Sequence, residues 1–215
     1  MKKNSNATSR KKLIIMLIII VGVLFLMYVL TLIIPKLFVD DTPANTNEII
    51  ADFSFYPADY DSDIFEDESY ISLISEGIVE YDDAINSITV VDKDTAASNG
   101  KPVKLLVDMI YSIINGDAEE YNSYFSELYY ESNKPKQAFT MQKVYDARLT
   151  YFSTESVTKD KVTYTEYTYK LKYRIYENNG TFRKDIGDGY RIQYITVSDR
   201  EGTLKIDSIT NPIYK

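Results

Sequence analysis

An α+β fold behind an N-terminal membrane span is what this 215-residue sequence predicts. Three features predict it. Leu13–Ile34 is an uncharged, apolar run of 22 residues. Between about residues 101 and 144, apolar residues recur at the three-to-four spacing of helices. From about Tyr145 the period changes to two. Helices followed by a meander of antiparallel strands is the α+β arrangement.

The span comes first. At 1.5 Å per residue, a helix of this length reaches roughly 33 Å, against a hydrocarbon core of about 30 Å. Signal-peptide apolar regions are shorter, about 7–15 residues, and no A-x-A-like cleavage site follows. A lipoprotein needs a cysteine to acylate, and the chain has none. Lys2, Lys3, Arg10, Lys11 and Lys12 precede the run, and Lys36 alone lies close behind it. The positive-inside rule then makes residues 1–12 a cytoplasmic tail and residues 13–34 a transmembrane signal anchor. Everything after about residue 36 is expected outside a bacterial cell membrane, on a single-pass protein. The span carries no GxxxG face, so it offers no packing argument for self-association, and the oligomeric state stays open.

Composition excludes several chemistries. Histidine, cysteine and tryptophan are absent. There is no imidazole base, no thiolate nucleophile, no zinc site of the usual N/S type and no disulfide framework. Charge is segregated: Asp40–Asp94 holds 16 acidic residues against Lys93, and the chain after Lys36 carries a net charge of −14. Phosphate backbones need clustered Lys/Arg, so nucleic acid is not an expected partner.

Residues 35–75 read as an acidic tether with Pro43 and Pro57 and no sustained period. Phe53, Phe55, Tyr56, Tyr60, Ile64 and Phe65 are interleaved with its acids, so parts of it are expected to pack against a domain or a partner. Residues 76–100 hold two β-prone runs, Glu76–Tyr81 and Asn86–Asp92, joined near Asp82–Asp83 into a small hairpin. Val103, Leu106, Ile110 and Ile113 then predict a helix with Pro102 in its first turn and Asn115–Gly116 as its stop. Asp117 is placed to cap a second helix with the stripe Tyr121, Tyr124/Phe125 and Leu128. A third, short helix is expected around Lys136–Val144. The clearest strand is Lys161–Tyr176, roughly 53 Å if straight, so it must bend or carry a bulge. Further strands are expected near Tyr145–Thr154, Thr181–Lys184, Tyr190–Ser198 and Leu204–Asn211. Turns are expected at Glu177–Gly180, Ile186–Tyr190 and Ser198–Thr203.

Two stretches resemble a known family. "LLVDMIYSIINGDAEEYNSYF" is similar to the opening helix pair of NTF2-like domains, where an Asn-Gly-Asp-type break separates two helices. "YITVSDREGTLKIDSIT" is similar to their closing hairpin. The resemblance covers about residues 101–213 and implies helices packed on a strongly curved antiparallel sheet, a cone with a pocket or a sheet face for binding. It implies no one activity, since such domains serve as enzymes, ligand binders and scaffolds. NTF2-like domains on a single N-terminal anchor also occur in bacterial conjugation and secretion channels. The acidic segment and hairpin at residues 40–94 are not part of the family pattern.

Candidate chemistry is sparse. Asp59, Asp61 and Asp63 alternate as in an EF-hand loop, but Ile64 stands where the loop needs glycine and Tyr70 where it needs glutamate. No metal site or cofactor is expected. Ser156–Lys159 matches S-x-x-K, without the S-D-N and K-T-G companions of penicillin-binding enzymes. Asp108 and Asp146 are the carboxylates that could point into a cone and do acid/base work. Asn179–Thr181 fits a glycosylation acceptor, but in a bacterial envelope it is expected to be merely a hairpin turn. One face of the long strand carries Tyr164, Lys170, Lys172, Arg174 and Tyr176, an aromatic and basic face beside an acidic tether. It could dock that tether or an acidic partner. The expected role is a non-catalytic interaction or scaffold module with an envelope protein partner. A structural part of a conjugation or secretion channel, or a small-ligand-binding or hydrolytic cone, are the alternatives.

Overall fold

The computed structural model describes residues 53–85, 87–159 and 161–212. The expected cytoplasmic tail and the expected span at residues 13–34 lie outside them. Among the described residues no helix is long and apolar enough to cross a membrane.

The described chain is a mixed α+β fold built on one open, curved sheet of six strands. These are β1 (Val79–Asp82), β2 (Ile88–Val91), β3 (Lys143–Lys159), β4 (Val162–Tyr176), β5 (Gln193–Ser198) and β6 (Lys205–Thr210), in the order β2-β1-β3-β4-β5-β6. All neighbours are antiparallel except β1 and β3, where Val79 opposes Ala147 in parallel. The hairpin of residues 76–100 is thus an edge of the main sheet.

The bends expected of so long a strand sit in its partner. β4 runs without interruption, while β3 shifts register between Tyr145 and Arg148 and again between Tyr151 and Ser153. An extra residue on one strand of a pair bends and twists it. At the first bulge Asp146 takes φ 48°. One face of β4 buries Tyr169, Leu171, Tyr173 and Ile175, as period two requires.

Among the described residues four α-helices accompany the sheet: α1 (Glu68–Leu73), α2 (Lys101–Ile114), α3 (Ala118–Ser123) and α4 (Glu127–Tyr130). Pro102 stands in the first turn of α2, and Val103, Leu106, Ile110 and Ile113 are all buried. They share one core with Leu149, Leu171 and Ile195 of the sheet. The Asn115–Gly116–Asp117 stop is a Schellman motif. Gly116 N–H donates to the Ile113 carbonyl (3.2 Å) and Asp117 N–H to that of Ser112 (2.9 Å). Asp117 then caps α3 by accepting from Glu120 N–H at 2.8 Å.

Three expected elements differ. The second helix is broken in two, because residues 124–126 pair with the sheet instead. Ser126 N–H donates to the Ile206 carbonyl and Ile206 N–H to that of Tyr124, and the Ser126 hydroxyl caps α4. The helix expected at Lys136–Val144 is absent. Pro135 disfavours helix in the residue before it, and the Asn122 side chain holds Lys136 from both backbone atoms, at 2.8 and 2.9 Å. The strand expected at Thr181–Lys184 is a loop. Buried Asn178 donates to the carbonyls of Arg183 (3.1 Å) and Ile186 (2.8 Å) and folds the chain back on itself.

The acidic segment is ordered where it is described, and its aspartates act as caps. Asp59 accepts from the N–H groups of Asp61 and Ser62. Asp63 caps the 3₁₀ turn Ile64–Glu66, and Asp67 caps α1. Ile64 and Tyr70 belong to the core. Phe55 packs on Gly180 and Phe53 on Gly187, so closely that a Cβ there would stand 2.9 and 2.7 Å from ring carbons. Tyr56 N–H donates to the Asn178 carbonyl at 3.1 Å.

The Asp67 carboxylate also pairs with Lys143, which pairs in turn with Glu177. The Lys143 bond and the backbone donors of α1 hold the Asp67 carboxyl below the usual aspartate range. Asp59 is lowered by Ser62 and Asp61, and Asp92 by Thr95. A carboxyl with a depressed folded pKa contributes stability above its unfolded value of about 3.9, and that contribution is lost as pH falls through the folded value. The thermal midpoint of the full chain should hold from pH 7 to about 5 and fall steeply below about 4. Asp67→Asn should lie lower at pH 7 and lose part of the acid slope. An unchanged acid limb in that variant would remove Asp67 from the account.

Candidate functional site

The curved sheet, α2 and two loops enclose a cavity of about 770 Å³. Its floor is Leu171, Tyr173 and Ile195 from β4 and β5, with Met109 and Ile113 from α2. Tyr121, Tyr129 and Phe182 form an aromatic wall. Tyr121 meets the Phe182 ring edge-to-face at 5.3 Å, and Phe139 packs behind both, 4.8 Å from Phe182. This cluster explains why residues 133–142 and 178–186 stay put without regular structure. Phe139 and Phe182 are their buried anchors.

The charged lining is mostly cationic: Lys136, Arg183, Lys184 and Arg191, against the single carboxylate of Asp185. Arg183 is buried and fully engaged. It grips Asp185 through Nε (2.8 Å) and Nη2 (2.6 Å), donates to Gln193 Oε1 at 3.2 Å, and lies 5.2 Å over the Tyr173 ring. Burial works against its charge, but Tyr173 and Asp185 outweigh burial and hold the guanidinium above its ordinary pKa. Burial likewise opposes the Asp185 carboxylate, and Arg183 overrides it, leaving that carboxyl below the usual range. Burial pushes the Tyr173 phenol up. Lys136 differs. Its ammonium donates to the Phe182 carbonyl at 2.7 Å and stands 4.8 Å over that ring. Desolvation, and then the Arg183 charge, hold its pKa below that of an ordinary lysine.

None of the residues weighed from sequence for chemistry or binding lines this cavity, although Ile113 and Tyr121 of the expected helix stripes do. Asp108 pairs with Lys104 at 2.6 Å along α2. Asp146, in the β3 bulge, faces Lys172 (3.5 Å) and Arg174 (4.0 Å). Ser156–Lys159 lies in the terminal stretch of β3. Tyr164, Lys170, Lys172, Arg174 and Tyr176 do share one face of β4, but much of it is already engaged. The Tyr190 ring stacks under Lys172 (5.1 Å) and Arg174 (5.9 Å). Arg200 covers buried Tyr164, and Lys143 covers Tyr176. The described acidic segment meets the 176–187 stretch and Lys143.

A second cavity, about 420 Å³, lies where that segment meets β3 and β4, between Asp63, Asp67, Gln142 and Glu177. Among the described residues no group of three or more acidic side chains is placed to hold a metal ion. A third cleft, about 860 Å³, is lined by Tyr81, Tyr151, Tyr167 and Tyr169 beside the start of α2.

The lining cations were missed from sequence because they come from loops. Lys136 follows Pro135, and Arg183, Lys184 and Arg191 sit between β4 and β5, where no period marks which side chain turns inward. The one signal present was the density of Lys/Arg in residues 183–191. No protein family, curated protein or solved structure matches the chain.

Proposed function

We propose that this protein is a single-pass membrane protein, N-terminus in the cytoplasm, whose outer NTF2-like domain is a non-catalytic binding module of a bacterial cell envelope. The observation that carries the binding reading is the 770 Å³ cavity. Its size falls within the range of small-molecule sites, about 300–1,000 Å³, and it combines aromatic walls with a few convergent polar groups. The curved sheet, the Schellman break between α2 and α3 and the β5–β6 hairpin support the NTF2-like reading. The Lys/Arg cluster before residue 13 supports the orientation.

The absence of cysteine makes both halves testable in one series. In intact cells, Lys184→Cys should react with a membrane-impermeant maleimide, and Ser5→Cys only after lysis. A photo-crosslinking residue at position 184, on the cavity rim, should yield an adduct in cells. The same residue at position 161, in the β3–β4 turn, should not. Identical adduct patterns from the two positions would sink the binding reading, and maleimide labelling of Ser5→Cys in intact cells would reverse the orientation.

A further inference from the structure

We propose that the cavity takes a small oxyanion-bearing molecule, a carboxylate or phosphate ester carried on a flat ring. The inference rests on the binding reading above and names the class of its ligand. It starts from a mismatch of charge. The chain after Lys36 carries −14, yet four cations and one carboxylate line this cavity. Overall composition does not produce such a reversal.

The cations divide into two kinds. Arg183 is already neutralised by Asp185 and pinned by Gln193 and Tyr173. It serves as a fixed part of the floor. Lys136, Lys184 and Arg191 have no carboxylate within 4 Å among the described residues. Lys136 is held beside Arg183; its direct contacts are a backbone carbonyl and a ring face, and the Asp185 carboxylate acts on it from farther off. Cations gathered along one cleft repel one another, and a bound anion relieves that repulsion while gaining charge-assisted hydrogen bonds.

The body of the ligand follows from the walls. Tyr121, Tyr129 and Phe182 offer aromatic faces and edges at one side, and Tyr173 lies under Arg183 on the floor. Such walls suit a planar ring. An anion without a ring would use only the lysines and Arg191. A neutral ring would leave them unpaired.

Pyridoxal 5′-phosphate is a probe with this chemistry: an aromatic ring, a phosphate, and an aldehyde that condenses with a lysine amine to an imine and water. Borohydride reduces the imine to a stable amine, and peptide mass spectrometry locates it. The full-length chain in nanodiscs of neutral lipid should be modified at Lys136 or Lys184 at about tenfold lower reagent concentration than with 5′-deoxypyridoxal, which lacks the phosphate and keeps a free aldehyde because it cannot close to a hemiacetal. The ready deprotonation of Lys136 favours both reagents equally, so their ratio isolates the anion. Arg191→Glu, a change at an exposed position, should abolish the ratio. Phenyl phosphate and benzoate should protect, and the better protector tells phosphate from carboxylate. Equal modification of Lys136 by both reagents overturns the anion inference and leaves the binding reading standing. No preference for Lys136 or Lys184 over Lys161 with either reagent overturns both.

Discussion

Gly116→Ala should lower the thermal midpoint of the full chain by about 10 °C, more than alanine at the other left-handed glycine of an open turn. Gly116 carries the Schellman break at φ +70°. A Cβ there would stand 2.7 Å from the Met141 nitrogen and 2.9 Å from the Thr140 carbonyl carbon. Two costs therefore add. An L-residue in the left-handed region costs roughly 1–2 kcal/mol, and overpacking against an ordered interior costs roughly 1–3 kcal/mol more. The neighbour is backbone and cannot rotate away. It is also pinned, because Gln142 N–H donates to the Ile114 carbonyl at 3.1 Å. A domain of this size loses about 2–4 °C per kcal/mol. Gly202→Ala is the control: it shares the positive φ, +80°, but a Cβ there meets nothing within 4 Å. That variant should lose only the conformational part, about 4 °C. Equal losses in the two variants would show that the approach of residues 140–141 is not tight.

The same glycine marks what the sequence made legible. The Asn115–Gly116–Asp117 break is a local signal, because a helix end, a left-handed residue and a cap are specified within a few positions. The apolar stripe of α2 and the alternation along β4 are local too, and both were readable. Two of the three failures share one cause. Asn122 and Asn178 each reach well beyond their own turn to hold a loop, Asn122 at Lys136 and Asn178 at Arg183 and Ile186. Nothing in their neighbourhood distinguishes them from surface asparagines. Those two loops supply Lys136, Phe182, Arg183, Lys184 and Asp185 to the cavity. The candidate site was therefore hidden in the part of the chain where folding depends on distant partners. The face read from period two is real as a face, since Lys170, Lys172, Arg174 and Tyr176 share it. Period could not reveal that Tyr190, fourteen residues beyond Tyr176 in the chain, folds back over two of its cations.

Tyr70 tests the other boundary that composition obscured. It sits in a stretch with the acidity and prolines of a tether, yet its ring is 0 % exposed. Its hydroxyl donates to the Val144 carbonyl at 3.0 Å, tying α1 to the start of β3. Burial raises the phenol well above its ordinary pKa, so the hydroxyl stays a donor throughout the physiological range. Tyr70→Phe keeps the ring and deletes the bond, and should cost about 1 kcal/mol. Tyr70→Ala deletes the ring as well, and should cost about 3–5 kcal/mol, or roughly 10 °C or more. The loss should be local before it is global. Asp67 caps the same helix and pairs with Lys143, so without the ring α1 depends more heavily on that ion pair. A partly exposed pair of that kind contributes little on its own. Hydrogen exchange at residues 64–74 should therefore accelerate in Tyr70→Ala while α2 remains protected. If exchange and thermal midpoint are both unchanged, the acidic segment is a tether after all and the folded unit begins later in the chain. If both change as expected, the folded unit takes in α1, whose cap Asp67 shares Lys143 with Glu177, next to the loop that lines the cavity.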